Sequence, residues 1–156
     1  MRVNATPLPD QSALHSYGGQ GDFLDCYSVA SDMPARAAAE VITAFPAWAR
    51  GLLMVRRIAT APFGLSQDGP EADDKLGPFP VELDTGTEVI AGFDDKHLNF
   101  RVSVYGDGRR VSLATWVHPH NIGGRIYLTA ILPFHILVAR NALARVARAD
   151  PLTTPA

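Results

Sequence analysis

Across residues 97–149 the spacing of apolar side chains changes once, from every second residue to every third or fourth. That change dictates most of what the chain can fold into. Leu98, Phe100, Val102 and Val104 alternate with His97, Asn99, Arg101, Ser103 and Tyr105, the period of a strand with one buried face. Gly106-Asp107-Gly108 offers the positive φ of a tight hairpin. Residues 111–119 then return, with Val111, Leu113 and Val117 on one side and Ser112, Trp116 and His118 on the other. From Gly124 onward Leu128, Leu132, Ile136, Ala139, Leu143 and Val146 keep helical spacing. Pro133 is expected to kink this helix, and Arg140, Arg145 and Arg148 fall near its C-terminal end, where the helix dipole favours positive charge. A sheet with one apolar face needs a cover, and the final helix is the only element long enough to supply it. The expected fold class is α+β: a curved antiparallel sheet wrapped around a long C-terminal helix, a helix-grip, with two short helices after the first strand.

The upstream half supplies those remaining pieces. Residues 23–29 read as a strand, with Leu24, Cys26 and Ser28 facing one way and Phe23, Asp25, Tyr27 and Val29 the other. Asp32 is the expected N-cap of an alanine-rich helix over residues 35–45, with Pro34 at or near its first position. Pro46 should break the helix, because a mid-helix proline removes a backbone bond. A second helix over residues 47–58 would dock through Trp48, Leu52, Leu53, Met54 and Val55. Residues 66–78 are acidic and rich in turn formers, hence a surface loop. Two more strands follow, over residues 79–83 (weakened by Pro80) and 87–94. The first twenty or so residues lack periodicity, so the expected division is a loosely ordered arm over residues 1–21, one domain over 22–149 and a frayed tail over 150–156.

At 156 residues the chain fits one domain, and its 47% hydrophobic and 19% charged composition suits a packed core. A formal charge of −2 gives no long-range reason to expect nucleic acid or an anionic membrane as partner. The single cysteine, Cys26, rules out an intrachain disulfide and fits a reducing compartment. The most apolar stretch, residues 126–139, is short for a bilayer span and reads as a buried core helix, so no membrane insertion is expected. No signal-peptide core opens the chain, and the expected location is cytoplasmic.

Several features lie together in a pattern with a precedent: Phe45-Pro46-x-Trp48, Phe63-Gly64, Gly92 with His97-Leu98, His120-Asn121 with Gly124-Arg125 and Tyr127, and Pro133-Phe134-His135. Across residues 23–147 the chain resembles a bacterial family of unknown function, domain of unknown function 2867. That family looks like a member of the START-like, pollen-allergen-like (SRPBCC-type) superfamily of helix-grip domains. The resemblance implies a ligand-holding fold and no catalytic residue. Similar domains occur fused behind short-chain dehydrogenase-type domains, which suggests a dehydrogenase-type partner. This chain departs from the fused arrangement: Gly18-Gly19-Gln20-Gly21 lacks the strand before and the helix after that a dinucleotide fingerprint requires, and no cofactor is expected.

Each chemical constellation has a plain structural alternative. His118 and His120 share a strand face and could reach one ligand or a metal with His97, Asp94 or Glu88. The preferred reading is a sheet edge with backbone-bonded histidines and no metal. Asp94 and Asp95 beside His97 could form an acid–base pair, or simply a hairpin turn. Asn121 to Arg125 could hold an anion at a helix start, but Asn121 is better read as a cap. Arg101 is a candidate cross-strand partner of Glu88. Cys26 is expected to be buried and inert, and no serine or cysteine nucleophile motif is present.

Three functions follow. The first is a domain holding a small, largely apolar molecule between sheet and C-terminal helix, with His135, Tyr127, Trp116, His118, His120, Arg101 and Phe100 as the pocket candidates. The second, less favoured than the first, is an enzyme of the same fold using histidine and carboxylate as acid and base. The third is an accessory domain that forms a homodimer through a sheet edge or the Trp48 region.

Overall fold

Alternating apolar residues form strands here because each strand has one face against helices and the other against a different cover. A computed structural model of the chain describes residues 2–19, 21–63 and 70–149. Seven strands make one antiparallel sheet: β1 (Asn4–Ala5), β2 (Phe23–Ala30), β3 (Lys75–Leu76), β4 (Phe79–Asp84), β5 (Glu88–Asp94), β6 (Leu98–Gly106) and β7 (Arg110–Pro119). Their spatial order is β1-β2-β7-β6-β5-β4-β3, so the first long strand pairs with the last. Three helices complete the fold: α1 (Ala35–Thr43), α2 (Ala47–Thr60) and α3 (Ile122–Ala149). The expected α+β class, with two helices after the first long strand and a long C-terminal helix, is the observed one.

One face of the sheet carries the main core. Tyr27, Val29, Val89, Val104, Val111 and Leu113 pack against the small buried face of α1 and the second half of α3, where Ala139, Ala142, Leu143 and Val146 are buried. Alanines at Ala35, Ala38 and Ala39 let α1 lie close to the sheet, and a fully buried leucine such as Leu143 contributes about 2–3 kcal/mol. Arg145 joins the helices directly: its guanidinium donates to the carbonyls of Val41 and Ala44 at 2.7 Å and of Ile42 at 3.2 Å, the unpaired acceptors at the end of α1. Pro133 lies inside a continuous α3, whose first turn is capped by Asn121 accepting from the Gly124 N–H at 2.9 Å.

The other face is covered by the N-terminal segment, contrary to the expectation of a loosely ordered arm. Leu14 is 2% exposed and packs with Leu8, Cys26, Ile90, Ala114 and Trp116 into a second cluster. A short 3-10 turn over Ala13–Tyr17, capped by Ser12, carries this segment across the sheet. A pattern-based reading misses it because one helical turn shows no periodicity.

Three further expectations change. Helix α1 begins after Pro34 without a side-chain cap, so Asp32 is not its N-cap; the nearby Met33 N–H is taken by the Ser31 hydroxyl instead. Residues 75–76, expected in a surface loop, form β3 and pair with Phe79 and Pro80. Residues 126–139 are not a buried core helix. They belong to a 28-residue helix that is long and apolar enough to cross a membrane by length and composition, with its first half largely exposed and its second half built into the core. The expected tail over 150–156, and residues 66–69 of the expected loop, lie outside the described residues.

Candidate functional site

The alternation along β2, β6 and β7 sorts the seven pocket candidates onto two faces and an edge. His135 and Phe100 lie on the helix-facing side, Trp116, His118 and Arg101 on the outer side, and His120 and Tyr127 at the margins. They do not converge on one pocket.

On the helix-facing side His135 Nε2 donates to Asp25 Oδ2 at 2.9 Å, and its ring meets Phe23 edge-on at 6.1 Å. Phe100 stands between Phe79 and Phe93, with ring centroids 5.4 and 4.8 Å apart. Tyr127 is a bridge to α2: Arg56 Nε donates to its hydroxyl, and the guanidinium carbon lies 5.4 Å above its ring. The space between the sheet and the second half of α3 is filled by Leu143, Val146 and Ala142.

The outer side holds a cleft of about 470 Å³, lined by Leu8, Leu14, His15, Gly18, Gly19, Asp22, Leu24 and Trp116. Strand β2 supplies Leu24, and Asp22 just precedes that strand. Strand β7 supplies Trp116, directly opposite Leu24 in the ladder, while the N-terminal segment forms the roof. Three donors converge on the Asp22 carboxylate: His118 Nδ1 at 2.5 Å, Trp116 Nε1 at 2.9 Å and the Gly19 N–H at 3.0 Å. Burial alone would raise the pKa of this carboxyl. The bonds from His118 and Trp116 and the charge of His118 outweigh that effect and hold it below its ordinary range. The ionised Asp22 orients the ring by accepting from His118 Nδ1–H, which leaves Nε2 as the nitrogen not engaged by the carboxylate. The His118 side chain is 48% exposed. His120 lies with its ring centroid 5.8 Å from that of His118, and its Nδ1 meets the Lys96 carbonyl at 3.2 Å, the backbone-bonded role expected of it.

Beside the cleft lies a second buried polar group that the sequence pairs wrongly. Arg101, 7% exposed, does not meet Glu88. Its Nη2 bridges Glu82 and Asp94, each at 2.9 Å, while Nη1 donates to the Phe100 carbonyl and the guanidinium stacks over Tyr17 at 5.6 Å. Burial opposes its charge, but the two carboxylates prevail and its pKa rises. Glu88, 3% exposed, instead accepts from the Ser12 hydroxyl at 2.5 Å, the Ala13 N–H at 2.8 Å and the Ser103 hydroxyl. Glu88 is thus the anchor that holds the roof on the sheet.

The remaining candidates take their structural roles. Asp95 accepts from the Lys96 N–H at 2.7 Å and its own N–H meets the Leu98 carbonyl, a hairpin turn. Cys26 is buried, and burial pushes its thiol pKa up, away from reactivity. Among the described residues no three His, Cys, Asp or Glu side chains are grouped to hold a metal ion. Sequence reasoning missed Asp22, Ser12, Glu82 and Tyr17. The alternation of β7 does point Trp116 and His118 toward the same side, and that was the available signal.

Among known proteins, a family model described as "Protein of unknown function (DUF2867)" matches residues 19–142. The match runs from the Gly19 that bonds Asp22, through every strand from β2 to β7, into the second half of α3. No curated protein and no solved structure matches the chain. With its antiparallel sheet and long C-terminal helix resembling the START-like helix-grip architecture, the chain belongs to the DUF2867 family.

Proposed function

We propose that the chain binds a small, largely apolar molecule, and that it does so in the outer cleft beneath the N-terminal segment rather than between sheet and α3. A helix-grip-type fold suits small-molecule binding in general. The observation that carries the finer reading is the cleft itself. Its volume of about 470 Å³ is within the usual range for ligand sites, Leu8, Leu14, Leu24 and Trp116 give it apolar walls, and Asp22 and His15 are the polar side chains in its lining. The helix side offers His135 and Phe100, but its deepest part is taken up by side chains.

Trp116 reports on the cleft it lines. With the exposed Trp48 replaced by phenylalanine, titration with indole, 1-naphthol or decanoate should shift or quench Trp116 emission in a saturable way. Leu24 is exposed, lines the cleft and faces Trp116, so Leu24→Trp should fill the space and abolish saturation while leaving Tm nearly unchanged. No saturable change with any probe counts against the reading. Loss of binding in Val102→Trp but not in Leu24→Trp moves the site to the helix-facing side.

A second reading is favoured by one observation, the 2.5 Å contact of Asp22 with His118. A histidine oriented by an ionised carboxylate is a competent general base, worth roughly 100-fold or more in rate. Any turnover of a cleft ligand should fall by about that factor in His118→Ala and be spared in His120→Ala. Equal activity in both variants removes His118 from the chemistry.

A further inference from the structure

Of the ten large apolar side chains that stand exposed among the described residues, five lie on α2 and four on α3 between Ile122 and Leu137; Leu24 is the exception. On α3, Ile122, Ile126, Phe134 and Leu137 follow one another at helical spacing along the side turned away from the sheet, and Ile122 is 75% exposed. On α2, Trp48, Leu53, Met54, Val55 and Ile58 are exposed likewise. The two helices are tied by Arg56 and Tyr127. An exposed apolar surface of this extent marks an interaction site.

The charges on the same helices say what kind. Every charged residue on α2 and α3 is an arginine: Arg50, Arg56 and Arg57 on the first, Arg125, Arg140, Arg145 and Arg148 on the second. The net charge of −2 conceals this segregation, because the carboxylates lie elsewhere in the chain. Arg50, Arg57 and Arg125 are exposed beside the apolar residues. A second copy of the chain would bring the same arginines against these, which disfavours self-pairing. The complement of an apolar stripe bordered only by cations is a surface with negative charge outside and hydrocarbon beneath.

We propose that the outer faces of α2 and the first half of α3 dock on an anionic lipid surface, lying in its interface rather than crossing it. The apolar side chains reach the acyl boundary and the arginines meet the headgroups, as amphipathic interfacial helices do. The buried second half of α3 keeps the helix in the domain while its first half makes contact.

The test is cosedimentation of the full chain with phosphatidylcholine vesicles, with and without phosphatidylglycerol. Binding should require the anionic lipid and weaken as salt rises. Arg50→Gln with Arg57→Gln should weaken it roughly fivefold for each arginine neutralised, since each basic residue near such a surface contributes about that factor. Phe134→Asp with Ile126→Asp should abolish it, and both positions are exposed enough to leave the fold and its Tm intact. Failure to bind, or equal binding to both vesicle types, overturns the proposal. Sedimentation showing a dimer that the Phe134 and Ile126 changes dissolve, without vesicles, gives the surface to a second copy and overturns it as well.

Discussion

One carboxylate, Asp22, collects an indole N–H, a backbone N–H and an imidazole N–H, and so joins β7 to the start of β2 and to the loop before it. Its depressed pKa makes it an acid-sensitive joint. A carboxyl whose folded pKa lies below its unfolded value contributes stability fully above the unfolded value, near 3.8, and loses it as pH falls through the folded value. The wild-type chain should therefore lose urea stability below that region more steeply than Asp22→Asn, whose curve lacks this component. Parallel curves would show that the contacts do not stabilise the ionised form. Asp22 was not legible as a site residue, because its partners Trp116 and His118 are 94 and 96 positions away and only the β2–β7 register brings them close. His118 was legible as a face-sharing histidine, since alternation alone places it beside Trp116. The pairing of Arg101 with Glu88 failed for a related reason. Both lie on the outer face, but the register sets Glu88 opposite Tyr105 and Arg101 opposite Gly92, too far apart along the ladder to meet; Glu88 takes the Ser12 hydroxyl and the Ala13 N–H, and Arg101 takes Glu82 and Asp94.

Elements that bury one face in a regular rhythm were read closely, and elements held by single anchors were not. Strands β6 and β7 begin within a residue of their expected starts, because alternation persists to the turn that joins them. The N-terminal segment has no rhythm, and its place depends on Glu88 and on Leu14 reaching the second cluster. Glu88→Ala should therefore act on the whole segment. It leaves the buried Ser12 and Ser103 hydroxyls and the Ala13 N–H without their acceptor, and should cost about 2–3 kcal/mol in urea denaturation while raising proteolysis before residue 18. A change below about 0.5 kcal/mol would mean that the apolar contacts alone hold the segment. Two close approaches set the remaining geometry. At Gly92 a Cβ would stand 2.3 Å from the Phe100 carbonyl oxygen, and at Gly124 one would stand 2.3 Å from that of His97. Glycine at these points lets β5 curl against β6 and lets α3 start against the end of the sheet. Neither approach can be read from periodicity.

At the scale of the molecule, one sheet serves two covers. The helix-facing side, with α1 and the second half of α3, is packed closed and gives the domain its stability. The outer side, beneath a segment anchored at Glu88, keeps a cleft beside an oriented histidine. Helix spacing and strand alternation predict the first arrangement well. They do not predict the second, because an open cleft depends on how a non-repetitive segment folds over the sheet. The expected cavity between sheet and helix came from fold analogy, which does not report side-chain volume. Native mass spectrometry of the freshly purified chain beside its Leu24→Trp variant shows whether the outer cleft holds a small apolar molecule. The wild-type chain should carry an organic mass that disappears on denaturation and is missing from the variant. The same mass on both proteins would contradict binding in the cleft.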